Sequence, residues 1–174
     1  LEPVAPTLEG VERAVRTLVA MTGGRPAARR AVPRAEHVHA GFVYPSPVGD
    51  AGWTHSHDQG RRALETLPFV SRTSYVDSVP EEPGLIRDAI EKLIADGANL
   101  IFTTSYGFMD ATVEAAQRHP EVVFMHCSGF RTAPNLGTYF NREYEARFLT
   151  GMLAGGKTNS NILGFVAAFP LPEV

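Results

Sequence analysis

One cysteine and one tryptophan are all that the 174 residues contain of either type. Cys127 alone forms no internal disulfide, which leaves oxidising and reducing compartments equally open. No apolar run approaches the ~20 residues that cross a bilayer, so no integral membrane segment is expected. Neither sign of charge dominates, the formal net charge being −3. The one basic cluster, Arg25, Arg29, Arg30 and Arg34, lies in a Pro/Ala/Gly-rich stretch that reads as a solvated linker. Nucleic acid, which needs a basic stripe, is therefore not an expected partner. The chain opens on LEPVAPTLEG, with neither a start methionine nor a basic-then-apolar leader, which fits a removed signal or an excerpt of a longer protein.

Apolar side chains are plentiful, at 44% of the residues. That suffices for a core, in a chain small for two full domains. In residues 7–21, Leu8, Val11, Val15, Leu18 and Val19 recur at the spacing of one helix face and predict an amphipathic helix. It ends at Gly23-Gly24, residues 22–36 read as a linker, and the globular part is expected over 37–174.

From His37 onward strands and helices alternate. The pattern predicts strands at 38–44, 69–76, 99–106, 121–128, 136–140 and 162–169. Helices are predicted at 53–67, 84–96, around 109–118 and at 143–153. Alternation at this pitch means βαβ units, hence an α/β fold with a Rossmann-like parallel sheet covered by helices on both faces. Ligands of such sheets bind beyond the carboxyl ends of the strands. The loops that matter are then 44–54, 76–84, 105–110, 127–135 and 140–143.

Three motifs suggest chemistry and are set aside. His55 and His57 resemble a metal pair, but on a helix beginning at Trp53 residues two apart diverge by about 200°, and no cluster completes a ligand set. No metal and no cofactor are expected. Gly151 to Thr158 matches G-x4-G-K-[ST] letter for letter. A phosphate loop runs from strand to helix, whereas here a helix runs into Gly155-Gly156, which reads as its stop, and a strand follows. Cys127 beside His126 suggests a nucleophile and base, yet strand neighbours point to opposite faces. Ser46, Ser56, Ser105 and Ser128 lack an evident base, so no catalytic residue is assigned.

Aromatic and acidic residues at the strand ends carry more. Tyr44, Trp53, Tyr106 and Phe108 fall on strand-end loops, Trp53 directly after the turn formed by Gly49 and Asp50. An indole there can offer its face to a planar ring, a contact worth ~1–3 kcal/mol per base. Asp50 and Asp110 either accept hydrogen bonds from a ligand's polar edge or cap helices, and Trp53 either stacks or closes the core.

The ordered segments GFVYPSPVGDAGWTHSHDQGRRALE, LIFTTSYGFMDATVEAA, FNREYEARFLTGMLAG and ILGFVAAFPLPEV resemble the BMP (basic membrane lipoprotein) family of ABC-importer substrate-binding proteins, in the branch carrying Gly-Asp-Ala-Gly-Trp. The resemblance covers about 37–174. It implies a type I periplasmic-binding fold whose two lobes close on a purine nucleobase or nucleoside. Trp53 stands where the family places its stacking aromatic, Asp50 in the same loop, and Asp110 where it places a ligand-binding aspartate. AAFPLPEV is where the family's chain crosses into a second lobe, absent here, so the chain is expected to be a first lobe. A lipobox cysteine near the N-terminus is missing, which leaves lipid anchoring unsupported.

The ligand-binding set expected from all this is Trp53, Asp50, Asp110, Tyr106, Phe108, Tyr44 and Gly49. The leading function is capture of a purine for an ABC permease, without chemistry and outside the cytoplasm. The alternative is a cytoplasmic sensor that uses the same lobe to control a fused or partner domain. An enzyme such as a nucleoside hydrolase ranks third, for want of clustered carboxylates.

Overall fold

The computed structural model describes residues 37–167. The segment 7–21, the linker 22–36 with its arginines, and residues 168–174 lie outside the described residues. The chain divides into two units, Leu1–Tyr139 and Phe140–Val174.

In the first unit β1 (Val38–Val43) leads through α1 (Trp53–Leu64) to β2 (Val70–Val76), then through α2 (Pro83–Ala95) to β3 (Leu100–Thr103). A 3₁₀ turn (Tyr106–Phe108) runs into α3 (Met109–Arg118), followed by β4 (Val123–Cys127) and β5 (Leu136–Tyr139). The five strands form one sheet in the order β2-β1-β3-β4-β5, and every pairing is parallel. The α/β expectation is met, and sequence alternation explains the layers. Side chains alternate across a strand, so Ala40, Phe42 and Tyr44 face one side with Leu64 of α1, against Leu100 and Phe102. Val43, Ile101, Phe124 and Leu136 face the other, beneath Ile86, Ile90 and Leu93 of α2 and Ala111 and Ala115 of α3. Each such large aliphatic group contributes ~1.5–3 kcal/mol on burial.

The element ends have local causes. Helix α1 stops at Leu64 rather than 67, because Leu67 precedes Pro68 and is barred from the helical region. Its last turn tightens into bonds from the amides of Glu65, Thr66 and Leu67 to the carbonyls of Arg62, Ala63 and Leu64. Helix α2 begins on Pro83, where a missing amide hydrogen costs nothing, and ends before Gly97 at φ 92°.

The second unit departs from expectation twice. Helix α4 (Glu143–Lys157) continues through Gly155-Gly156 and closes at Thr158, whose amide bonds Ala154 O at 2.9 Å. A glycine pair lowers helix propensity by about 1 kcal/mol per residue but does not forbid the helix. The phosphate-loop letters therefore lie almost wholly within a helix. Residues 162–167 form no strand, and Ile162, Leu163, Phe165 and Val166 are exposed. The apolar run has strand composition, but a strand needs a ladder partner, and none pairs with these residues. The helix is tied by Arg147 to Glu143 at 2.9 Å and Arg142 to Glu145 at 3.1 Å. No residue of it is buried.

Candidate ligand-binding site

The loops beyond the carboxyl edge of the sheet are held against their intrinsic preference. Among the described residues, non-glycine positive φ occurs at Ala51 (54°) after β1, Ser78 (57°) after β2 and Ser128 (65°) after β4, besides Asn161. Each costs on the order of 1–2 kcal/mol, and such strain collects where a fold positions a site.

The β1 loop is organised around Asp50. Its Oδ1 accepts from the amides of Gly52 (2.8 Å) and His55 (2.9 Å), and its Oδ2 from the amide of Thr54 (3.1 Å) and the Ser46 hydroxyl (2.6 Å). Ser46 thereby spends its one hydrogen, so the 2.7 Å contact with Thr54 Oγ1 is donated by Thr54. Partial burial works against the Asp50 charge, but the Ser46 hydroxyl and the amides of Gly52, His55 and Thr54 outweigh it. The carboxyl is held well below the usual carboxylate range. Asp50 thus serves the N-terminus of α1, where the unpaired amides and helix dipole favour a negative charge. Gly49 lies exposed in the turn before it, closed by the Asp50 amide on Pro47 O at 3.0 Å.

That loop sets Trp53 at the head of α1. The half-buried indole donates from Nε1 to Thr104 O at 2.6 Å, which pins it to the end of neighbouring β3. One turn on, His57 donates from Nδ1 to Trp53 O at 2.9 Å, its ring 4.8 Å from the indole. Burial lowers the His57 pKa, against the Trp53 carbonyl and Asp50, which favour the proton. His55 points elsewhere and accepts from Gln59 Nε2 at 3.0 Å. Asp58 pairs with Arg62 at 2.8 Å and, being buried, is gripped also by Arg61 at 2.6 Å.

Tyr44 and Phe108 are corrections. Both are wholly buried. Strand parity turns Tyr44 under α1 between Phe42 and Tyr75, each 5.8 Å away, and burial raises its phenol pKa far above the usual range. Phe108 turns inward from the 3₁₀ turn into the core beneath α2.

Tyr106 and Asp110 do come together. With Gly107, Met109 and Phe130 they line a pocket of about 150 Å³. The rings of Tyr106 and Phe130 are 6.3 Å apart and inclined by 37°. Asp110, in the first turn of α3, accepts from Arg131 Nη1 at 2.5 Å. Beneath Tyr106, Glu81 from the β2 loop accepts from the Ser105 hydroxyl and from the Gly107 amide at 3.2 Å. A buried hydroxyl chain sets the end of β4: Thr112 Oγ1 lies 2.9 Å from Thr103 Oγ1, which lies 2.7 Å from His126 Nδ1. Gly129 rests on that histidine so closely that a Cβ there would stand 2.3 Å from His126 Cδ2. The segment leading to Phe130 is therefore seated on a buried ring.

Phe130, Arg131 and Glu81 were not singled out from the sequence, although their loops were, and Thr104 fell inside the strand expected at 99–106. The signal for Phe130 was an aromatic directly after a strand-end Ser-Gly. Among the described residues no group of three or more metal-ligating side chains converges, and no helix is long and apolar enough to cross a membrane.

The sequence profile described as Bmp, ABC transporter substrate-binding protein PnrA-like, matches residues 37–174. A purine-binding protein of Brucella abortus (strain 2308) is 40% identical over 140 residues, which cover 80% of this chain and 40% of that protein. A protein of Haloferax volcanii named as a candidate ABC transporter glucose-binding protein is 39% identical over 139 residues, 80% of this chain and 35% of its own. This chain thus spans two fifths or less of the curated relatives it matches. The solved structure of an ABC transporter solute-binding protein from Conexibacter woesei is similar in fold, with a TM-score of 0.59 at 16% identity, over 68% of this chain and 40% of that one.

Proposed function

The chain belongs to the Bmp family of PnrA-like ABC transporter substrate-binding proteins, and on that premise we propose that residues 37–174 provide the first lobe of a solute-binding protein that captures a purine nucleobase or nucleoside without chemistry. The observation that carries this is the pocket beyond β3 and β4, where Tyr106 and Phe130 flank the Asp110 carboxylate. Aromatic walls with one convergent acid suit a flat, hydrogen-bonding heterocycle better than a sugar's ring of hydroxyls. The pinned indole of Trp53 adds a second flat surface on the same edge of the sheet. Its Nε1 is engaged by Thr104, so it offers its face and no hydrogen bond.

In this reading Trp53, Tyr106 and Asp110 contact the ligand, Gly49 and Asp50 shape the loop that presents Trp53, and Tyr44 and Phe108 hold the platform. A second lobe completes the clamp, an ABC permease receives the solute, and the protein works outside the cytoplasm. The purine-binding relative favours the purine, and the one named for glucose supplies the competing ligand for the test. Titration of adenine, adenosine, guanosine and glucose is read by ligand-observed NMR, which reaches millimolar affinities. Purine binding, weakened by ~1–3 kcal/mol in Trp53→Ala with folding unchanged, is expected. Preference for glucose, or full purine affinity in Trp53→Ala, refutes it.

A further inference from the structure

The acid in the pocket is presented together with a guanidinium. Asp110 and Arg131 stand 21 residues apart, at the start of α3 and in the loop after β4, and meet through one bond, Arg131 Nη1 to Asp110 Oδ1. No other bond to Asp110 is present among the described residues, and its side chain is 85% exposed, so Oδ2 remains an open acceptor. The Arg131 side chain is 46% exposed, and a guanidinium has five N–H donors in a planar fork. At its Asp110 corner the pocket therefore has an acceptor beside donors that Arg131 holds just outside the lining.

A carboxylate alone asks only for a donor, which a hydroxyl, amine or ring N–H supplies equally. A carboxylate joined to a guanidinium asks for a donor next to an acceptor, in a plane. Sugar hydroxyls radiate from a puckered ring and fit such a corner poorly. The edge of a planar lactam, N–H beside C=O, fits it, as does an amidine edge, NH₂ beside a ring nitrogen. Tyr106 and Phe130 supply the flat walls such a heterocycle needs. A ring lying between the two would require centroids about 7 Å apart, twice the van der Waals contact of ~3.5 Å. The observed 6.3 Å is short of that by less than an ångström.

We infer that Arg131 is a specificity-determining residue of the pocket, reading with Asp110 the adjacent donor and acceptor on the edge of a planar heterocycle. The inference rests on the purine reading of this site and adds a residue and a selection rule to it.

The test uses the full chain and four probes: inosine, 1-methylinosine (its lactam N–H blocked), purine riboside (which lacks the exocyclic group) and glucose. Affinities are measured by ligand-observed NMR on the wild type, Arg131→Ala and Arg131→Lys, with amide spectra confirming an unchanged fold. Inosine is expected to bind the wild type about tenfold more tightly than 1-methylinosine or purine riboside. Arg131→Ala should lose most of that preference by weakening inosine alone, and Arg131→Lys should recover only part of it, because an ammonium lacks the planar fork. If the purines bind but Arg131→Ala keeps the tenfold preference, the pair is an ordinary surface ion pair and the inference is overturned. If no purine binds the wild type, the purine reading falls and takes this inference with it.

Discussion

Replacing Asp50 by alanine separates a scaffold role from a ligand contact. The carboxylate accepts four hydrogen bonds, three from amides at the start of α1 and one from Ser46. Loss of a helix cap costs about 0.5–2 kcal/mol. The amides of Gly52 and His55 belong to exposed residues and can turn to water, but Thr54 is buried, and an amide left unpaired there costs a further ~1–3 kcal/mol. Part is returned when Ala51 relaxes from its left-handed conformation. The net expectation is about 2–3 kcal/mol, or roughly 4–12 °C in Tm at ~2–4 °C per kcal/mol for a domain of this size. Trp53 is the only tryptophan, so its fluorescence, excited at the red edge beyond tyrosine absorption, and the long-wavelength indole bands of the near-ultraviolet circular dichroism report this loop. Asp50→Ala should lower the urea midpoint and weaken the near-ultraviolet signal before global unfolding. The pH dependence has a definite sign. Because the folded carboxyl titrates below its unfolded value near 3.9, its stabilisation is present above about pH 4 and lost as pH falls toward the folded pKa. The gap between wild type and variant should therefore close in acid. An Asp50→Ala protein with unchanged midpoint and indole signal, yet without purine affinity, would show that Asp50 is a ligand contact and that the scaffold argument is wrong.

Gly129→Ala would drive a methyl into the buried His126 ring, at 2.3 Å from Cδ2, and against Met109 Cε at 2.9 Å. A loss of ~1–3 kcal/mol in chemical denaturation is expected, and wild-type stability in that variant would refute the close seating of the Phe130 loop. Burial pushes His126 down to about 4, so it is neutral in the folded protein below its unfolded value near 6.5. Stability should fall between pH 6.5 and 4, by up to about 3 kcal/mol from this group at ~1.4 kcal/mol per pH unit. His39 and His57, also lowered by burial, add to the slope. His126→Asn should remove close to one proton's share of it, and an unaltered slope would sink that assignment.

Much of the frame was legible because it is local. Apolar alternation and 3.6-residue stripes between Val38 and Tyr139 gave the order of strands and helices, and parallel βαβ connection followed from that order. The carboxyl-edge rule then located the loops that hold the candidate site. What the sequence could not supply were facts about partners distant along the chain. ILGFVAAF has the composition of a strand, but whether residues 162–167 pair depends on an edge that offers hydrogen bonds, and local pattern is silent on that. Tyr44 and Phe108 sit at loop positions by sequence, yet strand parity and the inward turn of the 3₁₀ segment put both in the core. Asp50 looked as available as Asp110, and only the fold of the turn wraps four donors around one of them. Arg131 reaches Asp110 because β3 and β4 lie side by side, which brings together loops 21 residues apart. Periodicity is a property of neighbours along the chain and survives in the sequence. The pairing of charges, rings and buried amides is a property of neighbours in space, and only the packed sheet decides it.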